Sequence, residues 1–197
     1  MEISIVANGE VKNGQWLREN IRGTVIAADG GANLCKEHGV IPQFIVGDLD
    51  SVHRETLDFF KDSEVVRLED QNKTDLEKAL AYAKEMGAGT IYVFGALGGS
   101  VDHTMANILS LSPQSIIRDE SHDVHVVENE LQITGDREDV VSVIALSSVS
   151  GLSYEGLKWS APEMVNAGWI GARNRLKSTS ATIRLKKGRI AVIKSSS

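Results

Sequence analysis

The sequence predicts an α/β fold: an N-terminal domain on a parallel sheet with helices on both faces, then an all-β, sandwich-like domain. Three observations carry this expectation. Short Val- and Ile-rich runs alternate with helix-patterned stretches through residue 120, as in chains that wind a parallel sheet. Several of these runs are apolar almost without interruption, as strands covered on both faces are. Beyond residue 120, strand-like runs follow one another with no long helical pattern between them. The expected division is therefore 1–120 and 121–197.

The first strand is "ISIVAN" (3–8), followed by "TVIAAD" (24–29) and "FIVGD" (44–48), the last two each closing on an acid. "EVVRLE" (64–69), "TIYVFGAL" (90–97) and "SIIR" (115–118) complete the set. The clearest helix is "TDLEKALAYAKEMG", where Leu76, Ala79, Leu80 and Ala83 share one face. Thr74 with Glu77 forms a capping-box start, and Gly87 marks a stop. In the second half, "VHVV", "LQIT", "VVSVIALS", "ATIRL" and "RIAVIK" read as strands. "RLKKGRIAVIK" reads as a hairpin turning at Gly188. The closing "SSS" is expected to fray.

A 42% hydrophobic chain of this length buries a real core. Its 27 acidic against 21 basic residues, net charge -6, disfavour a nucleic-acid-binding surface. No apolar run approaches the ~20 residues of a membrane span, and the start "MEISIVANGE" lacks a signal-peptide pattern. Cys35 stands alone, so no internal disulfide forms, and it reads as a buried inert thiol in a cytoplasmic protein. His38, His53, His122 and His125 lack metal-ligand spacing. Trp159 and Trp169 are expected to pack in the core.

Open parallel sheets bind ligands outside the carboxyl ends of their strands. The unusual residues of this chain gather at those ends. Asp29 ends the second strand and precedes Gly30 and Gly31; Asp48 and Asp50 end the third; Asp75 follows the fourth. The fifth runs into "GALGGSVDHTMAN", with Gly98, Gly99, Asp102, His103 and Asn107. Each has a local explanation: Asp-Gly-Gly as a turn, "GDLDS" as an Asx turn, Asp75 as a first-turn acid, Asp102 as a helix cap. Convergence on one rim favours a shared role. Carboxylates so placed repel one another and any phosphate unless a cation joins them, and hard oxygen ligands suit Mg²⁺. Asp48 and Asp50 are its expected ligands, with glycine-rich turns and helix starts offering N–H groups to phosphate.

"AADGGAN", "GDLDS", "NKTDLEKAL" and "GALGGSVDHTMAN", in this order, resemble the four motifs of the thiamine pyrophosphokinase (thiamine diphosphokinase) family. The resemblance is strong from Ala27 to Asn107 and continues loosely through "SGLSYEGL" and "GARNRL". It implies an α/β catalytic domain, a β-sandwich-like domain for thiamine binding and dimerisation, and a homodimer with thiamine sites at the subunit interface. It also implies Mg²⁺-dependent transfer of the pyrophosphoryl group of ATP to the hydroxyethyl oxygen of thiamine, leaving AMP. By motif match, Asp48, Asp50, Asp75 and Asp102 surround Mg²⁺ and the phosphates, as catalytic and metal residues. Asp29, Gly30, Gly31, Asn33, Gly98, Gly99, His103 and Asn107 fall on the ATP and phosphate side. Gln71, Thr74 and Asn174 match thiamine-facing positions. Two positions depart from the pattern: Ser100 stands where the family has Arg, and Arg173 where it has Ser. Two other readings stay open: a nucleotide- or thiamine-binding relative without turnover, and a haloacid-dehalogenase-like phosphohydrolase in which Asp48 attacks phosphorus.

Overall fold

Strand order decides where a ligand can bind in this chain. The structure is a computed structural model that describes residues 1–195, so Ser196 and Ser197 of the serine tail lie outside the described residues. The chain divides into two compact units, Met1–Ser110 with Gln114–Glu120, and Leu111–Pro113 with the chain from Ser121 onward.

The first unit runs β1 (Glu2–Val6), α1 (Gly14–Asn20), β2 (Thr24–Ala28), α2 (Gly31–His38), β3 (Phe44–Gly47) and α3 (Arg54–Phe59). It continues with β4 (Glu64–Arg67), α4 (Asp75–Glu85), β5 (Thr90–Phe94), α5 (Val101–Ser110) and β6 (Ser115–Arg118). Its strands lie in the order β6-β5-β1-β2-β3-β4, and each neighbouring pair is parallel. The chain adds strands in one direction from β1 to β4, then returns to place β5 on the other flank of β1. Right-handed crossovers make these two directions put their helices on opposite faces. Leu17 of α1, Ala32 and Cys35 of α2 and Phe60 after α3 pack with Val6, Val25, Ala27 and Ile45. Ile5 and Ile26, directly paired in register, alternate to the other face. There α4 covers the sheet, burying Leu76, Ala79, Leu80 and Ala83 against β1, β2 and β3. Each fully buried Leu or Ile contributes about 1.5–3 kcal/mol.

The α4 start follows its sequence signature: Thr74 Oγ1 accepts the Glu77 N–H at 3.2 Å, and Glu77 Oε2 accepts the Thr74 N–H at 2.8 Å. Gly87, left-handed at φ 81°, follows the last turn. Among the described residues, no helix is long and apolar enough to cross a membrane.

The second unit is all β: β7 (His122–Val127), β8 (Glu130–Thr134), β9 (Val140–Ala145), β10 (Val149–Ser150), β11 (Ser153–Glu155), β12 (Met164–Val165), β13 (Ile170–Arg175), β14 (Ser180–Arg184) and β15 (Ile190–Ser195). One antiparallel set is ordered β13-β9-β15-β7 and another β11-β14-β8, with β10 paired to β12. Val141, Val143, Ile190 and Val192 from the first set share a core with Ile133, Ala181 and Ile183 from the second, the layering of a sandwich.

The hairpin expected at Gly188 does not form. β14 pairs with β8 and β11, while β15 pairs with β7 and β9. The link between them is held elsewhere, Leu185 N–H donating to Asn129 O in the β7–β8 turn and Lys186 N–H to Ser150 O of β10. Alternating burial looks the same for two strands of one hairpin and for two strands in facing layers. Gly188 is still required, since a Cβ there would lie 2.4 Å from Ser148 O at φ 106°.

Close packing of α2 on the end of β1 makes one expectation definite. A Cβ on Gly31 would lie 2.0 Å from Val6 O, a backbone atom that cannot swing away. Gly31→Ala is expected to cost about 1–3 kcal/mol of stability in urea unfolding; an unchanged midpoint would contradict this close approach.

Candidate active site

The site begins with a buried acid. Asp29 follows β2, is 1% exposed, and holds left-handed backbone at φ 45°. Its Oδ2 accepts the Leu49 N–H at 2.7 Å and its Oδ1 the Ser51 N–H at 3.0 Å. Its own N–H donates to Val46 O at 2.9 Å. The loop after β3 is thus wrapped around one carboxylate. Gly47 admits it, because a Cβ there would come within 2.8 Å of the Asp29 side chain. Asn33 of α2 closes the far end, Nδ2 donating to Ser51 O at 2.9 Å and Oδ1 accepting the His53 N–H at 3.1 Å. Leu49 is also left-handed, at φ 71°. Non-glycine residues in that region cost about 1–3 kcal/mol each, and persist where surroundings over-determine them. Burial pushes the Asp29 carboxyl above its ordinary range, against the two N–H bonds that favour its charge.

The wrapped loop presents Asp48 and Asp50 outward. One carboxylate oxygen from each of Asp29, Asp48 and Asp50 lies within 4.8 Å of the others. Asp50 accepts from Ser51 Oγ at 2.9 Å. Asp48 Oδ2 accepts from Lys78 Nζ at 3.0 Å and Gln71 Nε2 at 3.2 Å, and Lys78 Nζ reaches Asp75 Oδ1 at 2.9 Å. The Lys78 hydrogen bond holds the Asp48 carboxyl below its usual range. Burial alone would lower the Lys78 ammonium, but Asp75 and Asp48 outweigh it and hold the group above the ordinary lysine range. The donor set fits a hard divalent cation, since Mg²⁺ takes a few carboxylate oxygens and keeps its remaining positions for water or phosphate. Asp29, with an N–H on each oxygen, fits the supporting role better than direct ligation.

Asp48, Asp50, Gln71, Thr74, Asp75 and Lys78 line a cleft of about 400 Å³, together with Asn8, Gly9, Lys73, Gly98, Gly99, Ser100, His103 and Asn107. The cleft opens at the ends of β1 and β5, where the strand order reverses, the place such sheets hold ligands. Gly9 lets the two ends meet: its N–H donates to Gly95 O at 2.6 Å, and a Cβ would lie 2.3 Å from that oxygen. Gly98 and Gly99 are left-handed in succession, at φ 77° and 69°, leading into α5. Asn107 Nδ2 ties α5 back to Ala96 O at 2.9 Å.

Besides Asp29, four expected residues of the first unit are absent from the cleft lining. Gly30 and Gly31 shape the β2–α2 turn, and Asn33 pins the loop after β3 from outside the cleft. Asp102 is exposed at the start of α5, where Ser100 and the His103 N–H hydrogen-bond its carboxylate and lower its pKa. In the second unit, Asn174 is 6% exposed and spends its amide on Trp159, accepting from N at 3.0 Å and donating to O at 2.8 Å. The neighbouring Arg173 is exposed and left-handed at a bulge in β13. Trp159 is 52% exposed, against the expected core position, while Trp169 packs on the second core. Cys35 is fully buried, its thiol pushed up to about 12. Within the second unit, Asp139 is 3% exposed and accepts the Asp136 N–H at 3.0 Å.

The sequence reading missed Lys78, Lys73, Asn8 and Gly9. Asn8 and Gly9 follow β1, so the strand-end rule covers them once β1 is included. Lys78 lies three residues after Asp75, a spacing that brings two helical side chains together.

If Asp29 acts as the internal scaffold of this loop, Asp29→Ala strands two N–H groups, at a cost of about 1–3 kcal/mol. The Leu49 and Ser51 amides are then expected to lose protection in hydrogen exchange while those of β1 keep it. Protection retained at both would contradict the scaffold role.

The arrangement has counterparts among known proteins. The profile "Thiamin pyrophosphokinase, catalytic domain" matches residues 19–144, more than half of the chain. Thiamine pyrophosphokinase 3 of Oryza sativa subsp. japonica is 28% identical over 211 residues, covering 86% of this chain and 76% of that protein. The crystal structure of thiamin pyrophosphokinase from Geobacillus thermodenitrificans superposes with TM-score 0.81 at 27% identity, covering 100% of this chain and 98% of that one. The Bacillus subtilis enzyme matches in fold, TM-score 0.86 at 24% identity over 100% and 99% of the two chains. With the acidic loop and the glycine turn before α5 both inside the matched span, this chain belongs to the thiamin pyrophosphokinase family.

Proposed function

We propose that the chain transfers the pyrophosphoryl group of ATP to the hydroxyethyl oxygen of thiamine, giving thiamine diphosphate and AMP. The observation that carries this reading is the wrapped loop, which sets Asp48 and Asp50 at the mouth of a cleft whose other wall is the glycine turn before α5. Such transfer asks the protein mainly for positioning and charge neutralisation. Asp48 and Asp50 are assigned to hold Mg²⁺, which when bound neutralises the negative charge of the phosphates. Backbone N–H groups of the Gly98–Gly99 turn and the start of α5 receive phosphate oxygens. The thiamine alcohol attacks the β-phosphorus in line; the new O–P bond forms as the bridge to the α-phosphate breaks, and AMP leaves with the bridging oxygen. Of the two motif carboxylates not assigned to the ion, Asp75 lines the cleft and Asp102 does not, so the proton of the alcohol is assigned to Asp75.

The nucleotide and metal roles are assigned to residues 1–120, supported by a cleft lined wholly between Ala7 and Asn107. Gln71 and Thr74 are assigned to thiamine, and residues 121–197, with Asn174 fixing the Trp159 backbone, to thiamine contact and dimerisation. Exposed apolar side chains also repeat along α5 of the first unit, Val101 at 76%, Met105 at 59% and Leu109 at 50%, a further face that supports a homodimer. The single buried thiol of Cys35 supports a cytoplasmic setting.

The test is AMP formation from ATP on adding thiamine with Mg²⁺, followed by chromatography. Asp50→Asn is expected to lower turnover at least about 100-fold with an unchanged circular-dichroism spectrum. Near-wild-type turnover in that variant would overturn the metal assignment, and thiamine and ATP binding without AMP would favour a relative that lost catalysis.

A further inference from the structure

We propose that Lys78 is a positioning residue: a built-in monovalent cation that occupies Asp75 and one oxygen of Asp48, confining the divalent ion to the other oxygen of Asp48 and to Asp50. The inference rests on the Mg²⁺-dependent reading above. Lys78 is 3% exposed, an ammonium buried although helical spacing sets it away from the apolar face of Leu76, Ala79, Leu80 and Ala83. A charge so placed persists only when paired, and its partners come from two different elements. Asp75 stands in the first turn of α4 at 2.9 Å, and Asp48 stands in the loop after β3 at 3.0 Å.

The decisive feature is the division of the Asp48 carboxylate. Its Oδ2 carries both Lys78 and Gln71, while its Oδ1 receives the Asp50 N–H at the long distance of 3.4 Å. Oδ1 is therefore the oxygen left for an ion, on the side shared with Asp50. Four carboxylates, Asp29, Asp48, Asp50 and Asp75, crowd this corner, and the Lys78 ammonium touches two of them. Without Lys78, the gap between Asp48 and Asp75 would become a second acidic pocket, able to take an ion away from the reacting phosphates. In this arrangement Lys78 weakens divalent binding overall and buys a single position in return.

That consequence has the opposite sign from a purely structural role. Removing a fixed positive charge a few ångströms from a divalent ion tightens its binding by at least about tenfold, even at the dielectric of water. Losing a mere packing or pinning residue would loosen the loop and weaken the same binding. The experiment titrates Mn²⁺ into the full chain, following free ion by electron paramagnetic resonance, and measures kcat for AMP formation at saturating metal. Lys78→Met is expected to bind Mn²⁺ at least about tenfold more tightly, to take up an additional ion, and to lose about 100-fold in kcat through misplacement. Lys78→Arg, keeping the charge, is expected to stay near wild-type Mn²⁺ affinity. Should Lys78→Met fail to fold, Lys78→Gln keeps a donor to Asp48, lacks the charge, and carries the same expectation. Unchanged or weaker Mn²⁺ binding in the neutral variant overturns the role of Lys78 alone if wild-type binds Mn²⁺ and forms AMP. A wild-type chain that does neither overturns the functional reading, and this inference with it.

Discussion

One carboxylate inside the fold governs what the outer ones can do. Asp29 accepts backbone N–H groups from both sides of Asp50, at Leu49 and at Ser51. That pair of bonds fixes the path of the loop after β3, keeps Leu49 in a left-handed conformation, and turns Asp48 and Asp50 toward the cleft. The loop has no helix or strand of its own to define it. A buried acid costs desolvation, which the raised pKa of Asp29 records, and two charge-assisted hydrogen bonds offset that cost. The most enclosed acid of the group therefore serves geometry, leaving the exposed ones for chemistry.

Topology supplies the second half of the site. The reversal of strand order beside β1 opens the sheet between the turn after β1 and the turn before α5. Glycines at 9, 98 and 99 bring backbone close without side chains in the way. The acidic loop lies two strands over, beyond β2, and α4 brings Lys78 and Asp75 to it from the opposite face. A corner of like charges is thereby stabilised by an internal cation, at an edge where a second, exchangeable cation has ligands ready.

Much of this was legible in the residues themselves. "GDLDS" after an apolar strand and the capping box at Thr74 need only local rules, and both appear where those rules put them. What was hidden depends on tertiary path. Asp29 and Asp48 both follow strands, and nothing in their neighbours tells that one turns inward to a loop 20 residues on while the other lines the cleft. Asp102 has the local signature of a cap, and its carboxylate stays with the start of its own helix. Lys78 reads as a solvated helix residue until the loop carrying Asp48 is laid beside it. The hairpin at Gly188 failed for the same reason, since alternation records which side chains are buried and is silent on which strand lies alongside.

The most direct measurement is anomalous diffraction from crystals holding Mn²⁺ and a non-hydrolysable ATP analogue. The account expects an ion about 2.0–2.3 Å from the Asp48 and Asp50 carboxylates, with Asp29 still accepting both the Leu49 and Ser51 N–H groups. An ion seated between Asp75 and Asp102, or one that draws Asp29 off those amides into direct ligation, would contradict it.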